Sequence, residues 1–431
     1  MRKHWLSVVL ASSVAAFGLA ACGSGSGGNS STSGGLQIWE GYTGAEGKAF
    51  KHLLAEWNAA HPTEKVTSQF VNNDYSLPKL LTAIKGGSQP DIAYVYGSWA
   101  PNVAQLPQVV NLTRVVQQPG VNWSDFWVGE RDVATVNGKV IGMPALVDNL
   151  AVVYNKTLFA QAGLQPPSPD WTWNQFVADA QALTNPAKKQ FGTAYVTPGS
   201  EDTVWHWEAL LWEAGGSILN SSNTKAAFDS PAGLESLKTL QTMAVTDKSM
   251  YLDQSDSEYA NLFNSGKIGM LVTGPWDLSG FPSVKYGVQV MPSFPGTNGG
   301  HQTISGPDNW VIFNNGSAHA AAAEKFLIWL TNTKQSTYFS LATGDLPIRS
   351  SVQNSPGFTQ KMDQALPGVD TFISNLANVK QARPQLAAYP KISTILGTMV
   401  VSVLLGKSQP QAALSSAAQQ VNQVLASGAN S

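Results

Sequence analysis

The sequence predicts an α/β protein made of two doubly wound α/β lobes joined by hinge crossings. Three observations carry this reading. Apolar periodicity from residue 36 to residue 95 alternates strand, helix, strand, helix, strand. A second series of the same kind begins after Pro144. About 395 residues follow the glycine- and serine-rich stretch that ends at Gly35, too many for one compact core and enough for more than one domain.

In the first series, residues 36–39 read as a strand. Phe50, Leu53, Leu54 and Trp57 then mark one helix face, and His61-Pro62 stops that helix. Residues 65–71 read as a strand with Val66 and Phe70 on one face. Leu77, Leu80, Leu81 and Ile84 mark a second helix ended by Gly86-Gly87, and 90–95 is a buried strand. Loops after such strands collect at one sheet edge, where ligands bind. In the second series, 151–155 is a strand, Trp173, Phe176, Ala180 and Leu183 mark a helix, and 268–272 is a strand running into Gly274-Pro275-Trp276-Asp277. A strand at 310–313, a helix at 318–330 and a tail helix near 409–426 complete the pattern, the last with Pro410 in its first turn. Residues 399–405 are too short to span a bilayer and read as buried helix.

The N-terminus reads differently. Arg2 and Lys3 precede a short apolar run ending in Leu19-Ala20-Ala21-Cys22, which describes a secretory signal over 1–21. Residues 22–35, nearly all small and polar after Cys22, form a flexible tether. Cys22 is the only cysteine, so no intrachain disulfide forms and packing must supply stability. Net charge is −2 with no basic block, which argues against nucleic acid as a partner. The histidines His52, His61, His206, His301 and His319 show no i, i+4 pairing with one another, and no cofactor motif or metal-ligand spacing is present. The chain has 14 Trp, whose faces suit sugar rings, although most serve a core. Arginine is scarce beyond the N-terminal segment: Arg114, Arg131, Arg349 and Arg383. A phosphate or dicarboxylate site normally uses an arginine fork, so a neutral ligand is favoured.

Leu-Ala-Ala-Cys resembles the bacterial lipobox, which implies that Cys22 is the acylated mature N-terminus. Further segments, taken in order, resemble the bacterial extracellular solute-binding proteins of sugar ABC transporters, the group containing maltose-binding protein. They are LLTAIKGGSQPDI at 80–92, GKVIGMPALVDNLAVVYNKTLFAQAG at 138–163, Trp173 with Leu183-Thr184, Gly266-Lys267-Ile268-Gly269-Met270, Gly274-Pro275-Trp276, Leu346-Pro347-Ile348-Arg349 and Ala382-Arg383-Pro384. Ile141 replaces the usual tyrosine of the second segment. The resemblance implies a periplasmic-binding-protein type II architecture, with lobe one at 36–146 plus 308–347 and lobe two at 147–305 plus 350–425. It implies chain crossings near 144–150, 305–310 and 344–350. It further implies a non-enzymatic, monomeric protein on the outer side of the cell membrane, held by Cys22. That protein would capture a sugar, a di- or oligosaccharide, between its lobes and deliver it to the permease subunits of an ABC importer. A polyol, glycerol-phosphate ester or peptide would keep the family and change the ligand. A secreted glycoside hydrolase is the alternative outside it; Glu40 and Asp148 are then a candidate carboxylate pair.

Sugar hydroxyls are held by carboxylates and amides, and sugar C–H faces by aromatic rings. The crossings offer Asp148, Asn149, Asp308, Asn309 and Arg349. Asp148 could instead order the crossing, Asp308 and Asn309 could form a plain turn, and Arg349 could pair with Asp345. The strand ends offer Glu40, Tyr42, Tyr96, Ser98 and Trp99. The family uses the tryptophan of Gly-Pro-Trp, here Trp276, as a stacking platform. Trp205 aligns with a second cleft aromatic, in competition with Trp207 and Trp212, and Tyr389 lies near a third. Asp74 could be a helix cap, and Asp91 reads as a buried cap.

Overall fold

The computed structural model describes residues 35–255, 257–297 and 300–427. The secretory signal, Cys22 and most of the tether lie outside the described residues. Ten strands and eight helices position the site. The strands are β1 (Leu36–Glu40), β2 (Val66–Phe70), β3 (Ile92–Tyr96), β4 (Met143–Leu146), β5 (Ala151–Asn155), β6 (Thr193–Val196), β7 (Met250–Asp253), β8 (Met270–Thr273), β9 (Tyr286–Gln289) and β10 (Asp308–Ile312). The helices are α1 (Gly44–Ala60), α2 (Asn73–Lys85), α3 (Trp173–Leu183), α4 (Glu201–Glu213), α5 (Ser317–Leu330), α6 (Thr333–Thr343), α7 (Tyr389–Leu404) and α8 (Pro410–Ala426).

The first sheet has the order β2-β1-β3-β10-β4. Strands β1, β2 and β3 are parallel, and β10 runs antiparallel between β3 and β4. Helix α1 buries Phe50, Leu53, Leu54 and Trp57, the i, i+3, i+4, i+7 face, each worth roughly 1.5–3 kcal/mol against exposure. Helix α2 buries Leu77 and Leu80. Val66 is buried as expected, but Phe70 is 54% exposed, because β2 is the edge strand and its far end runs past the cover of the helices. In the second lobe, β5 lies between antiparallel β8 and β9. The parallel pair β6–β7 continues it through a bridge from Phe191 to Ile268. The strand beginning near Trp310 therefore belongs to the first sheet, although its sequence follows the whole of the second.

Helix α3 starts at a capping box in which the Thr172 side chain and Gln175 exchange bonds. The apolar tail of α7 is buried against α4 and α8. No helix among the described residues is long and apolar enough to cross a membrane.

Candidate functional site

In parallel strands the chain leaves the sheet at the carboxyl ends, so loops gather there. In the first sheet this edge holds Glu40, Tyr96 and Leu146, the last residues of β1, β3 and β4. Antiparallel β10 starts at the same edge, with Asp308 set between Tyr96 and Leu146. The second sheet meets it there. Thr273, the last residue of β8, pairs with Ala151, the first of β5, and β5 follows directly on the crossing through Asp148. Bridges from Val147 to Leu346 and from Asn149 to Ser305 tie the three crossings into one ribbon.

Trp276 leaves β8 through Gly274-Pro275. Its ring folds back over Gly274, where a Cβ would stand 1.8 Å from the indole, so only glycine leaves room. The ring is half-buried, its N–H bonds to the Tyr259 oxygen, and it lies 5.9 Å from Trp205 at 34°. Trp205, in the first turns of α4, has a ring N–H with no acceptor among the described residues. Trp207 instead donates to Ser236 Oγ at 2.9 Å in the core, and Trp212 is fully buried. Of the three competing tryptophans, Trp205 is the one beside Trp276.

Carboxylates surround this ring pair. Glu46, in the first turn of α1, faces Asp345 at hydrogen-bonding range, with Asp148 and Asp277 close by. Helix α1 packs on the turn Pro275–Gly280. Gly344, at φ +97°, holds the third crossing so close that a Cβ there would stand 2.7 Å from the Pro275 carbonyl oxygen. Asp74 accepts from the Tyr96 hydroxyl at 3.0 Å and also bonds Ser200, with Asp202 beside it. Asp277 accepts from Thr273 at 2.6 Å.

A second network joins the lobes. Glu201, at the N-terminus of α4, accepts from Ser98 Oγ at 3.2 Å, from Arg383 at 3.0 Å, and from Ser393. Arg383 also lies 3.9 Å from Asp308. Asp308 in turn accepts from Gly97 N at 2.8 Å and from the Tyr94 hydroxyl at 2.6 Å.

An aromatic pair and a group of carboxyls lie where the two α/β lobes meet, which makes this the candidate binding cleft. The bacterial extracellular solute-binding protein family matches residues 41–337, more than half of the chain. The chain belongs to this family. A putative binding protein of Brucella abortus is 25% identical over 397 residues, covering 89% of this chain and 91% of its own. The sn-glycerol-3-phosphate-binding periplasmic protein UgpB of Pectobacterium atrosepticum is 24% identical over 410 residues, covering 90% and 91%. A crystal structure of the cyclic alpha-maltosyl-1,6-maltose binding protein from Arthrobacter globiformis superposes with a TM-score of 0.72 at 27% identity, covering 91% of this chain and 99% of its own. This solute-binding protein therefore has the type II architecture of its family, and the relatives are binding proteins rather than enzymes.

Several residues expected at the cleft serve other purposes. Arg349 is 2% exposed and does not pair with Asp345. Its donors reach Thr331 O at 2.6 Å, Val121 O at 3.0 Å and Asp125 at 3.3 Å, with the guanidinium 3.9 Å above the Phe126 ring. It pins the third crossing to lobe one. Asn149 is fully buried, donates to Phe372 O and accepts from Asn375. Asn309 is fully buried in β10 and donates to Val133 O at 3.5 Å. Tyr389 is fully buried with its hydroxyl on Glu208 at 2.9 Å. Tyr42 packs among Phe50, Tyr94, Trp310 and Phe339, so its ring is core. Trp99 is buried 4.6 Å from the Tyr96 ring. Glu40 is buried and accepts from Tyr42 N at 2.8 Å. Asp148 accepts from Gly306 N at 2.9 Å, so it orders the crossing while lying among the cleft carboxylates. Asp91 accepts from Gln37 N, Asn315 and His319, a structural cap. Glu46, Glu201, Asp202, Asp277, Asp345 and Arg383 join the site although none was among the expected contacts. Two of these had a signal in the chain: Asp277 directly follows Trp276, and Arg383 lies in a quoted family motif.

Burial dominates the electrostatics. It pushes Asp74 and Asp345 up to about 7, and Asp277 and Asp308 up to about 6. Burial opposes charge on His206, but Asp202 at 3.2 Å outweighs it and lifts the imidazole to about 9. Every one of these pKa values is raised, so these five groups hold more protons in the folded chain than in the unfolded chain from about pH 4 to about pH 9. Stability of the solute-free protein should then fall as pH rises through that window. The thermal midpoint should be lower at pH 8 than at pH 5. A midpoint that rises over this range would mean the cleft carboxylates ionise as freely as in the unfolded chain.

Proposed function

We propose that this solute-binding protein takes a saccharide between its lobes and hands it to the membrane subunits of an ABC importer. The observation that supports this most is the Trp205–Trp276 pair, 5.9 Å apart, set among hydrogen-bond acceptors. Flat apolar faces beside carboxylates suit a ring that is apolar on its faces and hydroxylated at its rim. A phosphate ester, the ligand named for the UgpB relatives, is less well served. Among the described residues Arg383 is the guanidinium at the cleft, and it is already paired with Glu201, so a phosphate would find no free cationic fork there.

The solute bridges the lobes only when they are closed, so binding shifts the population toward closure. A thermal-shift screen over mono- and oligosaccharides tests the ligand class: at 100 times its dissociation constant a solute adds roughly 2.7 kcal/mol. Small-angle scattering with a hit should show a smaller radius of gyration. No stabilisation by any sugar, together with stabilisation by a phosphate ester, would overturn the saccharide reading.

The lobes divide as 36–146 plus 308–347 and 147–305 plus 350–425. Cys22 carries the lipid anchor, and residues 22–35 give it reach. Cys22→Ser should leave unprocessed precursor that takes no acyl label, and normal labelling of that variant would remove the anchor from this account.

A further inference from the structure

The two indoles of the cleft are not equivalent, and the difference narrows how a saccharide is held, given the reading above. Trp276 has its ring N–H on the Tyr259 oxygen, so it offers a face alone. Trp205 is 7% exposed, and its ring N–H has no acceptor among the described residues. Other tryptophans show what a buried indole normally finds. Trp57 donates to Glu64 O at 2.8 Å, Trp171 to Val290 O at 2.8 Å, Trp173 to Glu213 at 2.8 Å and Trp207 to Ser236 Oγ at 2.9 Å. Among the described residues, Trp205 has the one fully buried indole N–H without a partner. A buried donor left unpaired is costly and rare.

Neighbouring rings hold the indole's orientation. It lies 5.9 Å from the Trp276 ring at 34° and 5.7 Å from the His206 ring at 89°. His206 is itself fixed by Asp202 at 3.2 Å and by Val272 O at 3.3 Å. Glu201, one turn earlier on α4, already accepts from Ser98, Arg383 and Ser393. The acceptor then arrives with the solute, beside the face on which its ring lies. We propose that Trp205 is a specificity-determining residue that donates its Nε1–H to one oxygen of the bound saccharide, while Trp276 supplies the stacking face. A sugar with no oxygen at that position leaves the donor stranded and is rejected.

Calorimetry on the full chain tests this with glucose, galactose, mannose, xylose, maltose and cellobiose, and with the monodeoxy analogues of each one that binds. Two variants are compared with the natural protein. One is Trp205→Phe. The other carries 3-benzothienylalanine in place of Trp205, which keeps the bicyclic face and puts sulfur where the N–H was. In the natural protein, loss of one particular oxygen should weaken binding by about tenfold or more. In both variants the parent sugar should bind about tenfold more weakly, and loss of that same oxygen should then cost about twofold or less. Trp205→Phe also gives up face area, which weakens parent and deoxy sugar alike and cancels in the comparison. The isostere fills the same space, so it serves if Trp205→Phe fails to fold. Equal deoxy penalties in the natural and isosteric proteins would overturn the proposal and leave the saccharide reading standing. Binding of none of these sugars would overturn both.

Discussion

Trp276→Ala is expected to weaken solute binding by about 100-fold. A ring lying on the indole covers on the order of 100 Å² of apolar surface, worth roughly 2.5 kcal/mol at about 25 cal/mol per Å². Stacking adds about 0.5–1.5 kcal/mol by analogy with aromatic pairs. A factor of ten corresponds to about 1.4 kcal/mol, so the loss reaches two decades or slightly more. The fold should survive, because the ring is half-buried at a strand exit and lies over Gly274 instead of filling a core layer. Trp276→Phe keeps a face and should lose less. Calorimetry with the screened solute and urea unfolding of the same variants separate the two effects. Unchanged affinity with several kcal/mol of lost stability would move Trp276 from the cleft to the core.

Arg383→Met should be the most destabilising single change near the cleft. Arg383 is buried beside Glu201 and Asp308, and Glu208 lies close enough to feel its charge. Removing the guanidinium strands buried carboxylates, which costs about 3–5 kcal/mol when one partner of a buried pair is lost. The double variant Arg383→Met, Glu201→Gln should recover part of that, since it removes a stranded charge as well. A loss below about 1 kcal/mol in urea titration would mean that water reaches the pair and screens it.

These two cases mark how far the chain could be read before folding. The position of Trp276 was legible because Gly-Pro-Trp follows an apolar strand, and a strand exit at a sheet edge is a local property. Helices α1 and α3 were legible for the same reason: Phe50, Leu53, Leu54 and Trp57, or Trp173, Phe176, Ala180 and Leu183, carry their own period. The arginines were not. Arg349 sits four residues from Asp345, yet its carboxylate is Asp125, 224 residues away. Arg383 finds Glu201 across 182 residues. Nothing local distinguishes one isolated arginine from the other, because partner choice is set by how the crossings stack. Glu46 and Asp345 were silent likewise. Each is an unremarkable acid in sequence, and their chemistry comes from a half-buried Glu46 facing a buried Asp345.

The place of β10 in the first sheet bears on how the chain is made. Tyr94 and Asp308 touch at 2.6 Å but are 214 residues apart, and β10 is the strand that separates β3 from β4. Synthesis runs from the N-terminus, so β1 to β4 emerge early with the middle of their sheet missing. The edges of β3 and β4 wait, unpaired, while the whole second lobe is assembled. Pairings this distant form late and slowly, and unpaired edges invite association with other chains. The nascent first lobe should therefore keep open strand edges until roughly the last quarter of the chain is available.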